Sequence, residues 1–134
     1  MPDPQPSRSY WRTFFLALAS ISFIAAGTFH FISPESYRQI IPPFFPAPEL
    51  LVVISGVFEI AGGMGLLARP LRRVAGWGLI ALLVAVFPAN IYMAAAPARI
   101  PNMHISPWLL WLRLPLQGVL IAWVWFVAIR KPAR

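Results

Sequence analysis

The 134-residue chain is 59% apolar and only 11% charged, where soluble domains carry about 25% charged residues. A soluble fold of this size cannot hide so much apolar surface, so a water-soluble enzyme or binding module is excluded and lipid is expected to cover part of it. The net charge of +7 does not signal nucleic acid, because the basic residues sit beside apolar runs and form no soluble stripe with interleaved aromatics; the lack of cysteine removes disulfides, thiolate nucleophiles and dithiol relays.

Residues 1–12 are polar and proline-rich and read as a cytoplasmic tail. The apolar run that follows is too long for a signal-peptide core and has no small-x-small cleavage site, so it reads as a retained first span. Transmembrane helices are expected at about 13–32, 49–68, 74–94 and 107–129, within a single membrane domain covering 1–134. Each run is long enough to cross a hydrocarbon core of about 30 Å at about 1.5 Å per residue. None shows the alternation of a barrel strand, which leaves helices. Between the first two spans lies an outer proline-rich loop, 33–48. In it Ser33, Pro34 and Glu35 resemble an N-cap with proline at the first helical position, which predicts a short interfacial helix through Ile40. The prolines of 41–48 forbid helix there and predict a stiff cover over the outer end. Residues 69–73 make a short turn between the second and third spans.

Basic residues set the expected orientation. Arg8 and Arg12, then Arg69, Arg72 and Arg73, then Arg130, Lys131 and Arg134 fall on one side, against Arg38 and Arg99 on the other. The excess marks the cytoplasmic side, so both termini are placed inside a plasma (inner) membrane. Small residues at helical spacing, such as Ala19, Ser22 and Ala26, or Gly78, Ala81 and Ala85, let helices approach closely in lipid. The expected fold is all-α, a left-handed antiparallel four-helix bundle, up-down-up-down.

An ionisable residue at membrane depth costs several kcal/mol unless paired or wet. Glu59 lies roughly 15 Å into the second span and Arg113 roughly 9 Å into the fourth. Gln117 follows Arg113 at i+4 on the same face. His30 and Asn90 lie near the outer ends of the first and third spans. Pro88 and Pro115 free the carbonyls of Val84 and Trp111. Together these predict an outward-facing polar pocket under the loop, with His30, Glu59, Asn90, Arg113 and Gln117 as its ligand-binding residues. The competing expectation is a Glu59–Arg113 ion pair that only fixes helix register, with Asn90 and Gln117 filling hydrogen bonds. No metal site is expected, since His30, His104 and Glu59 lack ligand-like spacing. Tyr37 and Tyr92 read as interface anchors.

The sequence resembles the DoxX family of small four-helix membrane proteins over about residues 26–125. The resemblance rests on Ala26-Gly27-Thr28-Phe29-His30-Phe31, on Ile41-Pro42-Pro43, and on Ser55-Gly56-Val57-Phe58-Glu59-Ile60-Ala61-Gly62-Gly63. It continues in Phe87-Pro88-Ala89-Asn90-Ile91-Tyr92-Met93 and Arg113-Leu114-Pro115-Leu116-Gln117. It implies a four-helix membrane protein that serves as a subunit of membrane oxidoreductase assemblies, including quinone-linked ones. The pocket itself suits an amphipathic small molecule, a quinone or lipid, because carbonyl-bearing ring ligands match paired donors in an apolar pocket, and the chain is not expected to be an enzyme on its own. Two other functions fit the residues: a structural or chaperoning subunit whose cluster only fixes the fold, and a small proton- or ion-linked transporter. The expected partners are the bilayer, redox subunits and a second copy of the chain.

Overall fold

The computed structural model describes residues 7–131. Residues 1–6 of the expected tail, Arg134 and the side chain of Arg8 lie outside the described residues. All regular structure among the described residues is helical. Helix α1 spans Ser7–Ile32, α2 Pro34–Arg38, α3 Pro48–Leu67, α4 Arg72–Ala95 and α5 Pro107–Val124. A 3₁₀ turn, Pro97–Arg99, follows α4, and α5 continues into a π-helical turn, Trp125–Ile129. Four segments are long and apolar enough to cross a membrane: Tyr10–Ile32, Pro48–Leu67, Arg72–Ala95 and Pro107–Ile129.

Local sequence explains the boundaries. Prolines at positions 2, 4 and 6 are the last breakers before α1, so the helix takes in Ser7–Arg12, residues expected in the tail. Pro34, Pro48 and Pro107 each sit in a first turn, where their missing N–H costs nothing. Ser33 occupies the N-cap of α2, but its hydroxyl pairs with that of Ser36 at 2.9 Å and makes no cap bond to the backbone. Residues 41–47 form turns. Ala47 closes them in the left-handed region, φ 48°, a conformation that costs a residue with a Cβ about 1–2 kcal/mol. Pro88 and Pro115 stay inside α4 and α5.

Glycines set the packing. At Gly27 an added Cβ would fall 2.7 Å from the Gly56 carbonyl oxygen and 2.9 Å from Glu59 Cβ. The backbones of α1 and α3 are therefore in direct contact. Seven residues down α1, the buried Ser20 hydroxyl donates to the Gly63 carbonyl at 2.6 Å. Gly62 and Gly65 of α3 receive Leu79 and Ala75 of α4, and Gly76 of α4 receives Ala128. Around these contacts Leu16, Ala19, Phe23, Leu66, Leu79, Leu83, Val124, Val127 and Ala128 form a dry core at the end away from α2. Met93, Ala94, Ile100 and Leu110 form a smaller one towards the α2 end.

The first and last helices meet at the end away from α2. Arg12 donates from Nε and Nη2 to the Val127 carbonyl at 3.3 and 3.2 Å, and from Nη2 to the Arg130 carbonyl at 2.7 Å. A cation there satisfies carbonyls that a helix C-terminus leaves open. Beside it, Trp123 Nε1 donates to the Phe15 carbonyl at 3.2 Å, and the two rings meet edge-on with centroids 6.4 Å apart. Large apolar side chains such as Ile21, Phe58, Val84 and Val119 point outward and are exposed.

Gly27→Ala must force α1 and α3 apart and is expected to destabilise the fold by about 1–3 kcal/mol. Gly78, whose added Cβ would meet nothing within 4 Å, is the control. Gly78→Ala should be neutral or stabilising by up to about 1 kcal/mol. Thermal unfolding in detergent distinguishes the two.

Candidate functional site

Away from the Arg12 contact, α1 and α5 diverge and leave a cleft of about 420 Å³, within the range of small-molecule sites. One wall is α1, with Ala19, Ser22, Phe23, Ala26 and His30; the other is α5, with Arg113, Leu116, Gln117, Leu120 and Trp123. Helices α3 and α4 supply the back, including Ser55, Glu59, Leu83 and Asn90, and Tyr37, Ile40 and Ile41 cover the α2 end. His30, Glu59, Asn90, Arg113 and Gln117, the residues singled out from the sequence, all line this one cavity.

They do not form one network. His30 and Glu59 make the first group. The contact of Gly27 with Gly56 brings α1 so near α3 that His30 Nδ1 lies 3.3 Å from Glu59 Oε2. That nitrogen also lies 2.9 Å from the Ala26 carbonyl. A carbonyl can only accept, so Nδ1 carries the proton and directs it there. Glu59 Oε2 is left buried with no hydrogen bond. The imidazole is in turn stacked on Tyr37, with centroids 3.8 Å apart and planes inclined by 23°. Tyr37 is thus part of the cavity wall. Its position one turn into a five-residue helix gave no sign of this, because the stacking depends on how α2 folds back over α1. Burial pushes the Tyr37 phenol above its ordinary value; the nearby Glu59 carboxylate adds to the rise and the Arg113 guanidinium opposes it.

Asn90 and Gln117 make the second group. Asn90 Nδ2 donates to Gln117 Oε1 at 2.7 Å, and Gln117 Nε2 donates to the Leu83 carbonyl. These bonds join α4 to α5, and Gln117 is buried.

Arg113 stands apart. The expected Glu59–Arg113 ion pair does not form. Among the described residues the nearest partner of Arg113 is the Met93 thioether, 3.8 Å from Nη1, a weak acceptor. The side chain is exposed at the mouth of the cleft. The two charges sit on α3 and α5, which are separated by the cavity. Sequence depth alone put them at similar levels and could not reveal that separation.

The cover over the α2 end is tied down by charge. Arg38 binds Glu35 through two bonds, Nε to Oε2 at 2.8 Å and Nη2 to Oε1 at 2.6 Å, and reaches Glu49 in the first turn of α3 at 3.3 Å. The bonds from Arg38 hold the Glu35 carboxyl below the ordinary carboxylate range. A depressed carboxyl keeps its attachment above that range and loses it as pH falls through the lowered value. Among the described residues no three side chains are grouped to hold a metal ion.

Fold and site define an all-helical protein with four long apolar helices around a cleft of mixed polarity. The chain belongs to the family described as a domain of unknown function, DUF8561, whose model matches residues 18–128. This overturns the resemblance to DoxX. The quoted segments combine small residues at close helix contacts with prolines and polar groups near helix ends, features that packing imposes on four apolar helices of any ancestry. No curated protein and no solved structure matches the chain.

A double-mutant cycle should separate the groups. His30→Leu with Glu59→Gln is expected to show a coupling of about 0.5–3 kcal/mol, whereas Glu59→Gln with Arg113→Gln should be additive within about 0.5 kcal/mol. Unfolding midpoints of the three single and two double variants, beside wild type, supply the test.

Proposed function

We propose that this chain is a multi-pass protein of the plasma (inner) membrane, an antiparallel four-helix bundle with both termini cytoplasmic, whose cleft binds a small amphipathic molecule. The contact pairs support the antiparallel arrangement. Ser20 meets Gly63 while Gly27 meets Gly56, and Gly62 meets Leu79 while Gly65 meets Ala75. Basic residues support the orientation: Arg12, Arg69, Arg72, Arg73, Arg130 and Lys131 lie at the end away from α2, the pattern of a cytoplasmic face. The cleft then opens in the outer half of the bilayer.

One observation carries the ligand-binding reading. A cluster that only fixed the fold would satisfy its own buried polar groups, since an unsatisfied one costs about 1–3 kcal/mol. Here the buried Glu59 oxygen has no hydrogen bond among the described residues, and Arg113 stands exposed at the mouth without a carboxylate partner, across a cavity large enough for a ligand. A quinone-like or lipid-like molecule has the required combination of polar head and apolar body. The redox assembly came only from the DoxX resemblance and is not retained. A structural role has its own support in the Asn90–Gln117–Leu83 bonds, which occupy those amides. We assign that pair to holding α5 on α4, and ligand contact to His30, Tyr37, Glu59 and Arg113. Transport is disfavoured by the dry core, with Phe23, Leu66 and Leu83, that closes the inner end of the cleft.

Native mass spectrometry of protein extracted gently from its own membrane is expected to show a small-molecule adduct on wild type. Arg113→Gln should lose it while keeping its unfolding midpoint. An adduct-free wild type would leave the cluster as a folding device. Orientation is tested separately in the cysteine-free chain: Ser36→Cys should react with an impermeant maleimide on intact cells, and Leu71→Cys should not.

A further inference from the structure

The cleft is graded along its length. Its α2 end carries Arg113, His30, Glu59 and Tyr37, and its far end is walled by Phe23, Leu83, Leu120 and Trp123. Between Ala19 and His30 helix α1 rises roughly 16 Å at about 1.5 Å per residue, which is room for a chain in addition to a head. The mouth between α1 and α5 is open along this stretch. Ser22 bonds the Leu18 carbonyl of its own helix at 2.8 Å and, among the described residues, makes no bond across the gap, and Leu116 opposite is exposed. Arg12 and Trp123 bond across to the other helix at the closed end. A molecule already dissolved in the bilayer therefore meets the opening sideways.

Charge selects the head. Arg113 is exposed at the lip with five N–H donors, and among the described residues its side-chain hydrogen bond goes to a thioether, a weak acceptor. Guanidinium donors match carboxylate and phosphate oxygens in paired, charge-assisted bonds. Glu59 stands on the back wall, across the cavity, and offers an anion no cationic partner deeper than Arg113.

We propose that the cleft holds a single-chain anionic amphipath, a carboxylate or phosphate head on Arg113 and its chain laid down the cleft to Trp123. This rests on the ligand-binding reading and adds the head's charge and the pose.

The test uses full-length protein in zwitterionic nanodiscs with three probes of equal chain length: dodecanoate, dodecyl phosphate and dodecanol. One or both anions should bind about tenfold to a hundredfold more tightly than the alcohol. Arg113→Gln should erase that preference and Arg113→Lys should retain most of it. Preference for one anion over the other identifies the head as a carboxylate or a phosphate. A bromine on the chain terminus should quench tryptophan emission saturably in wild type, and Trp123→Tyr should remove the saturable part while Trp108→Tyr leaves it. If dodecanol binds as well as both anions, or quenching survives Trp123→Tyr, this inference falls and the cleft remains a ligand site of another class. If no probe binds although extracted protein carries an adduct, the anionic class is again overturned; if there is no adduct either, the ligand-binding reading falls with it.

Discussion

The direct contact of α1 with α3 is the constraint on which the rest depends. Gly27 and Gly56 remove the side chains that would hold two helices apart, and Ser20 locks the approach lower down through the Gly63 carbonyl. Between helices as apolar as these, close backbone contact and interhelical hydrogen bonds draw the pair together. The same contact decides the chemistry. It lets His30 reach Glu59 and, by bringing the end of α1 over α3, lets Tyr37 fold back onto the imidazole.

A tight pair on one side leaves a looser one on the other. Helices α3, α4 and α5 continue the packing through Gly62, Gly65 and Gly76. The fourth side, between α5 and α1, is joined at the end away from α2, where Arg12 and Trp123 reach across and Leu16 packs in the core with Val124 and Val127. The cleft is what remains above that joint. Its two kinds of polar residue follow from this arrangement. Asn90 and Gln117 sit between helices that touch and satisfy each other; Glu59 and Arg113 sit on helices separated by space and do not.

Four long apolar helices were legible because length and uniform hydropathy are properties of single segments. The polar positions were legible for a related reason, since each is a local exception within an apolar run. Their pairing was not. Glu59 with Arg113 is the obvious match by charge, but depth along two helices says nothing of which helices are neighbours, and a histidine four residues after Ala26 proved nearer. The role of Tyr37 was hidden for the same reason. The π-helical turn at Trp125–Ile129 left no mark in composition, because it arises where Arg12 draws on carbonyls 115 and 118 residues away. The family resemblance misled because close packing makes short motifs of small residues recur wherever long apolar helices pack together.

The joint made by Arg12 has a bearing on the order of assembly. Arg12 and the carbonyls it binds lie 115 and 118 residues apart, whereas α1 and α3 are separated by a connection of only fifteen residues, 33–47. The entropic cost of closing a loop rises with its length, so the neighbouring pairs are expected to associate before the joint closes. The wall between α1 and α5 is then the last to be set, and the cleft is the last part of the fold to take shape.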